Sequence, residues 1–242
     1  MRRFRSRFAS LARRRASAYV GRPETDQIHG MRDDTRIFAM TQLGNGLSAG
    51  GHYADALSVR EAELSTLRRL GAPEECILIT QSNLANTYQI LGQAEKALRA
   101  RRDTYSGWLK LKGEDDAATL CEASNLAFAL ASLVRFDEAK ALLRRMMPVA
   151  RRAVGSSHIT TLRTRFIYAA ALYEDPAATL DDLREAVTTL EDTIRIARRV
   201  LGGVHPTTEG IEQDLRDARA ALRARVSPEE WRAAARGVKI TN

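Results

Sequence analysis

The side chains most often used for acid–base catalysis and metal binding are few in this 242-residue chain. They are His29, His52, His158, His205, Cys76 and Cys121. No pair has the spacing of a zinc site or of a disulfide framework. His158 and His205 each follow a glycine by three residues, which predicts turn or cap residues that open the next helix. No nearby histidine or acid is expected to activate the two cysteines, which are predicted to be small buried residues.

Two other patterns could suggest a reactive site, but neither has the context that the chemistry requires. The glycines between residues 44 and 51 are not preceded by a strand or followed by Gly-Lys-Ser/Thr, as a phosphate loop would need. The acidic pairs at 115–116 and 181–182 are explained as charges at helix N-termini, where they meet the helix dipole. The sequence therefore predicts a protein that is not an enzyme and that uses no cofactor and no metal.

The net charge of +8 comes from one end of the chain. Residues 1–23 contain eight arginines and no acidic residue, so 30 basic and 30 acidic side chains are left for the rest. A neutral body supplies no row of phosphate contacts, and this argues against a nucleic-acid partner. The first residues could be an organelle transit peptide, with Phe4, Phe8 and Leu11 on one side of a helix, or a disordered basic tail. Both interpretations place residues 1–30 outside the fold.

The apolar runs are all shorter than the roughly 18 residues that a transmembrane helix needs. We therefore expect no membrane span. The predicted location is the cytoplasm, or the mitochondrion or plastid if residues 1–23 are a transit peptide.

An internal repeat of about 42 residues organises the rest of the sequence. Gly71, Gly113 and Gly155 are 42 residues apart and Gly202 follows after 47, each at the end of a helical pattern, where a left-handed glycine cap is expected. A second set of markers is small residues expected at close helix crossings: Ala56, Ala97, Ala139 and Ala186. A third is the tetrapeptide SNLA at 82–85 and 124–127. Leu43-Gly44 and Tyr168-Ala169 stand at the corresponding positions, about one repeat before the first copy and one repeat after the second.

Each unit contains two amphipathic helices, because apolar residues recur at three- and four-residue spacing on both sides of a turn. The predicted fold is all-α: an α-solenoid of about four antiparallel helix pairs with terminal capping helices. The predicted pairs are 34–49 with 53–70, 75–91 with 94–112, 116–134 with 137–154, and 158–174 with 179–201. The repeat domain is 31–242, with units at 34–71, 74–113, 116–155 and 158–202 and a cap at 206–242. The cap includes a short helix at 228–236 that carries Trp231.

The segment SNLANTYQILGQAEKAL at 82–98 resembles the tetratricopeptide repeat. Leu84, Ala85, Tyr88, Gly92 and Ala97 fall on the signature positions of that family. The 42-residue length and the segment VLGGVHPTT at 200–208 are similar to the longer repeats of kinesin light chains. The resemblance covers about residues 35–225, with degenerate first and fourth repeats, and residues 1–30 show no sustained heptads of the kinesin-binding coiled coil.

The resemblance implies a peptide-binding groove along the first helix of each pair. The groove positions in this sequence are Thr41, Gln42, Asn45, Ser82, Asn83, Asn86, Gln89, Ser124, Asn125 and Phe128. Amides can donate to and accept from a peptide backbone at once, which favours an extended protein segment as partner. The alternative for Asn83 and Asn125 is that they bridge neighbouring helices. The predicted function is a protein-binding adaptor or scaffold; the alternatives are a self-associating array and an organelle-imported factor in RNA metabolism.

Overall fold

The computed structural model describes residues 30–226, with side chains from residue 35 onward, and within that range every regular element is an α-helix. The helices are α1 (Gly30–Ala49), α2 (Tyr53–Arg69), α3 (Glu74–Ile90), α4 (Ala94–Lys112), α5 (Ala117–Ser132), α6 (Phe136–Ala153), α7 (Ile159–Tyr173), α8 (Leu180–Leu201) and α9 (Pro206–Arg225). The predicted helix pairs are confirmed. The largest difference in a helix start is at α1, which begins at Gly30 and was predicted to begin at residue 34.

The chain divides into two compact halves, one ending at Leu133 and the other beginning at Val134. In the first half each helix from α1 to α5 packs on the next along the chain. In the second half α6 packs on α7, α7 on α8 and α8 on α9, and α9 also reaches α7. The four alanines predicted at helix crossings are completely buried. Small side chains at these positions allow the paired helices to approach closely.

The glycines that end the second helices have a more demanding conformation than a left-handed helical cap. Gly113 has φ 86° and ψ 178°, and Gly202 has φ 85° and ψ 163°. Positive φ with extended ψ is a region essentially limited to glycine, because a side chain there clashes with the backbone. The prediction that glycine is needed at the marker is therefore confirmed, but the left-handed helical conformation predicted for it is wrong at these two sites.

The turn between α5 and α6 departs from the repeat. Val134 has φ 65°, the positive angle that Gly92 adopts (φ 75°) at the same place in the preceding repeat. A β-branched residue in this region is strained, since Cβ approaches the backbone.

The N-termini of α5, α7 and α9 are capped by side chains, and His158 and His205 are cap residues as the sequence predicts. His158 and His205 accept hydrogen bonds through Nδ1 from the backbone N–H groups of Thr160 and Thr207, at 3.2 and 3.1 Å. Asp116 occupies the same position before α5 and accepts from the backbone of Ala118 at 2.8 Å. Each of these residues satisfies an N–H group that has no partner inside its helix.

The fourth repeat, with 47 residues from Gly155 to Gly202 in place of 42, has an insertion in the turn between α7 and α8, at residues 174–179. Asp175 in this turn accepts from Lys140 of α6 at 2.7 Å. Arg225, at the end of α9, donates to the carbonyl oxygens of Ala178 and Pro176 in the same turn. The insertion thus ties α6 and the terminal helix to the α7–α8 hairpin.

Some sequence predictions have other outcomes. Cys76 and Cys121 are half-buried, not buried as predicted, and neither is in a disulfide. The basic segment at 1–23 and the short helix at 228–236 lie outside the described residues. None of the described helices is long and apolar enough to cross a membrane.

Candidate functional site

A buried arginine on α2 joins three helices of the first half. Arg60 is 4% exposed. Its Nη2 donates to Oδ1 of Asn45 on α1 at 3.1 Å. Its Nη1 donates to the hydroxyl of Thr87 on α3 and to the carbonyl oxygen of Asn83, the latter at 3.4 Å. The guanidinium therefore fixes the first helix of its own repeat to the first helix of the next.

A buried arginine with the same kind of contacts recurs one repeat later. Arg101 on α4, 41 residues after Arg60, is 2% exposed and donates to Oδ1 of Asn86 on α3. It also donates to both carboxylate oxygens of Glu122 on α5, at 3.3 and 3.0 Å. Asn86 is likewise 41 residues after Asn45, so the arginine–asparagine pair follows the repeat.

A buried carboxylate lies near each arginine: Glu63 is on the same helix as Arg60, whereas Glu122 is on the helix after that of Arg101. Glu63 on α2 accepts from the hydroxyls of Thr41 and Thr80, at 2.5 and 3.2 Å. Glu122 on α5 accepts from Ser82, Asn125 and Thr104 at 2.7, 2.8 and 3.2 Å, in addition to Arg101.

The two carboxylates differ in the direction of their pKa shifts. Burial raises the pKa of Glu63 more than its hydroxyl donors and the nearby Arg60 lower it. Burial also opposes ionisation of Glu122, but the charge of Arg101 and the hydrogen bonds from Ser82 and Asn125 outweigh it and hold the pKa of Glu122 below its ordinary value. Glu122 is therefore ionised within a charge pair, whereas Glu63 has no such pair among the residues that the structure describes.

The structure places the predicted groove residues at different depths. Gln42 and Asn86 are exposed, and Asn45 and Gln89 are half-buried. Ser82, Asn83, Thr41 and Phe128 are also half-buried. Ser124 and Asn125 are buried, at 1% and 9% exposure. An open position for Ser124 and Asn125 is therefore wrong, because their side chains are used inside the repeat core.

Most of the polar groups on this list also have partners within the chain. Ser82 and Asn125 meet at Glu122, and Gln89 donates to the hydroxyl of Ser132 at 2.9 Å. The contact of Asn125 with Glu122 is within α5, so the alternative that Asn83 and Asn125 bridge neighbouring helices stays a prediction. Peptide binding by the more exposed positions stays a prediction.

The arginine pairs fix how two of the asparagines are oriented. A guanidinium has only hydrogen-bond donors, so Asn45 and Asn86 must turn their amide oxygens toward Arg60 and Arg101. The NH₂ group of each amide is then left for a different acceptor. Asn86 is exposed and Asn45 half-buried, so both amides can meet a ligand. A peptide carbonyl oxygen is an acceptor of the right kind.

The fourth repeat has no comparable polar surface on its first helix. Phe166, Ile167 and Ala170 on α7 are 2% exposed or less. Helix α9 packs against α7 and α8, with Ile211 fully buried. The terminal helix α9 therefore packs on the helix that carries these apolar residues.

Arg60, Arg101, Glu63 and Glu122 were not identified from the sequence. Charged residues in amphipathic helices are usually solvent-exposed, and nothing in their local pattern marks these four as buried. The usable signal is the register: the two arginines are 41 residues apart, at equal distances from the small residues Ala56 and Ala97. Within the described residues no cluster of three or more His, Cys, Asp or Glu side chains could hold a metal ion.

Comparisons with known proteins agree with the repeat pattern. The tetratricopeptide repeat family matches residues 123–160. No curated protein sequence matches the chain. Among solved structures, a Podosopora anserina chain named for kinesin light chain, with nearly identical TPR-like repeats, is 22% identical with a TM-score of 0.64, covering 78% of this chain and 88% of that one. A single-substitution variant of the Podosopora anserina repeats is 21% identical with a TM-score of 0.65, covering 84% and 93%.

A third solved structure covers almost the whole sequence. BtubC, also called BKLC, from P. vanneervenii is 16% identical with a TM-score of 0.61, covering 98% of this chain and 92% of that one. At these identities the likeness concerns the fold. The chain therefore contains a tetratricopeptide repeat and has the all-α solenoid fold of tetratricopeptide-like repeat proteins, with repeats similar to those of kinesin light chains.

Proposed function

We propose that this protein is a non-enzymatic adaptor that binds an extended peptide segment of a partner protein along α1 and α3. Tetratricopeptide repeat proteins are in general non-enzymatic scaffolds for proteins and peptides, which supports the general class. The particular partner is not defined by a fold, since function lies in the side chains that a scaffold presents. The transit peptide and the cellular compartment stay predictions of the sequence.

The repeated arginine–asparagine pair is the observation that carries the proposal. Two amides on successive first helices are held with their oxygens inward, Asn45 by Arg60 and Asn86 by Arg101. Donors that are oriented before binding lose little conformational entropy when a ligand arrives. Their spacing along the repeat suits a ligand that has carbonyl groups at regular intervals, as an extended peptide has.

Replacing both asparagines by aspartate separates binding from folding. Aspartate keeps an oxygen for each arginine but removes the NH₂ donors. Linear peptides selected on the intact chain from a phage-displayed library provide the probe, and titration measures their affinity. We expect the Asn45→Asp/Asn86→Asp protein to fold and to bind these peptides about tenfold more weakly or worse, since each lost hydrogen bond is worth about 0.5–1.5 kcal/mol.

A charge-matched control distinguishes lost donors from added charge. Ser65 and Ser106 are exposed on α2 and α4, also 41 residues apart. The Ser65→Asp/Ser106→Asp protein gains the same charge away from the first helices and should bind as the wild type does. Equal affinities of the two double variants would contradict the proposal.

A further inference from the structure

The amide of Asn45 lies between two apolar residues on the same face of α1. Phe38 is seven residues before Asn45, and Ala49 is four residues after it. Helix residues at these spacings share one face. Phe38 is 57% exposed, and Ala49 is also exposed. A ligand that meets the amide of Asn45 therefore lies beside apolar surface in both directions along the helix.

Helix α3 has the same arrangement. The positions 41 residues later in the sequence are Ile79, Asn86 and Ile90. Asn86 is exposed, and the two isoleucines are half-buried. Arg60 donates to side chains of both α1 and α3, so the two helices lie side by side. The ligand face, as we call this surface, consists of Phe38, Asn45, Ala49, Ile79, Asn86 and Ile90.

The third repeat extends the ligand face with an aromatic residue in place of the amide. Phe128 of α5, 42 residues after Asn86, is half-buried. Helices α3 and α5 are neighbours, because Gln89 donates to the hydroxyl of Ser132 at 2.9 Å. A ligand that continues from α3 to α5 thus meets a further apolar side chain.

The ligand face carries no charged side chain. The charged residues among the described side chains of α1, α3 and α5 are Arg36, Glu74, Glu75 and Glu122. Their positions in the helix turns put the first two off the ligand face. At the start of α3, Oε2 of Glu75 is 3.3 Å from Nζ of Lys112, and Glu122 is buried against Arg101. An ionised ligand side chain would therefore lose water on this face without gaining an ion pair.

We propose that the segment bound on the ligand face is an uncharged peptide with aliphatic or aromatic side chains on both sides of its backbone. The inference rests on the proposed function, in which the peptide crosses α1 and α3 along the row of amides. In an extended chain, successive side chains point in opposite directions, at right angles to the carbonyl groups. When the carbonyl oxygens face Asn45 and Asn86, the side chains therefore point alternately toward the two apolar margins, one formed by Phe38 and Ile79 and the other by the end of each helix.

Three phage-displayed libraries of linear peptides of equal length test the charge preference on the intact chain. All three contain Ser, Thr, Asn and Gln; the first adds aliphatic and aromatic residues, the second Asp and Glu, and the third Lys and Arg. We expect enrichment from the first library alone. Preferential enrichment from a charged library would overturn this inference and leave the proposed function standing. No enrichment from any library would overturn both.

Two exposed apolar residues of α1 provide a matched pair of variants. Phe38 is 57% exposed and on the ligand face, whereas Leu43 is 54% exposed and, five residues later, off that face. Phe38→Ser should weaken binding of the selected apolar peptides about tenfold or more, because apolar burial against the ring is lost. Leu43→Ser should leave the affinity unchanged. Isothermal titration calorimetry measures both.

The same peptides separate the inference from the proposed function on which it rests. Wild-type affinity of Phe38→Ser, or an equal loss in Leu43→Ser, would show that the apolar margin is not the contact surface and would overturn the inference. If Asn45→Asp/Asn86→Asp still weakened binding in that case, the amides would remain the site and only the apolar specificity would be wrong.

Discussion

Two buried glutamates of the first half are in similar surroundings and differ in one contact. Glu63 and Glu122 are 3% and 5% exposed, and each accepts hydrogen bonds from hydroxyl groups on neighbouring helices. Only Glu122 touches an arginine guanidinium, at 3.0 Å. Burial of a carboxylate is costly unless a positive charge is close, so the two residues should affect stability in opposite directions.

Replacing each glutamate by glutamine tests this difference. Glu63→Gln should raise the free energy of unfolding at pH 7, because it removes a carboxylate whose pKa is raised by burial. Glu122→Gln should lower it by about 3–5 kcal/mol, because it leaves the buried Arg101 without its charge partner. Chemical denaturation followed by circular dichroism measures both, and a loss of stability in Glu63→Gln would contradict the assignment.

The pH dependence of the two contributions also differs in sign. The pKa of folded Glu63 is above its ordinary value of 4.5, so its contribution is fully present below that value and is lost as the pH rises through the folded pKa. The pKa of folded Glu122 is below 4.5, so its contribution is present above that value and is lost as the pH falls through the folded pKa. The gain in the free energy of unfolding from Glu63→Gln should therefore become smaller as the pH falls toward 4.5. The loss in the free energy of unfolding from Glu122→Gln should become smaller as the pH falls further.

At the scale of the helix, α5 and α7 each begin at a residue whose side chain caps the first turn. Asp116 and His158 have the same position in successive repeats, and each accepts from the backbone two residues later. His158→Ala should lower the free energy of unfolding by about 0.5–2 kcal/mol, since the N–H group loses its acceptor. His158→Asp should retain the cap and add a favourable charge at the helix N-terminus. Thermal unfolding of the two variants gives the comparison, and equal midpoints would show that the cap contributes nothing.

Helix positions could be predicted from the sequence because they depend on local periodicity and on markers that recur. Ala97 is at a crossing and Gly113 at a helix end for reasons visible within a few residues of each. The role of Asn125 could not be predicted in the same way. It depends on Glu122, which in turn is held by Arg101 from the preceding helix. Such partners are set by how helices pack, and a repeat signature gives the same expectation for a buried amide and an exposed one.

At the scale of the whole molecule, the two halves differ in how their first helices are packed. In the first half α3 is joined to α2 by buried hydrogen bonds of Arg60 and Glu63. In the second half, Phe166, Ile167 and Ala170 of α7 are buried, and α9 packs on α7. In a repeat array each repeat contacts only the neighbouring repeats, so stability is close to a sum of local terms. A change in one half should then have a local effect.

Truncation of two aliphatic residues near α9 tests this locality. Ile211 is fully buried and Val204 is 87% exposed. Ile211→Ala should cost about 2–5 kcal/mol through lost packing and the cavity it leaves. Val204→Ala should change stability by less than about 0.5 kcal/mol. Hydrogen exchange resolved by segment should become faster in α7, α8 and α9 of Ile211→Ala while the amides of α2 and α3 keep their wild-type rates. Equal acceleration in all these helices would mean that the chain unfolds as one cooperative unit, which a sum of nearest-neighbour terms does not predict.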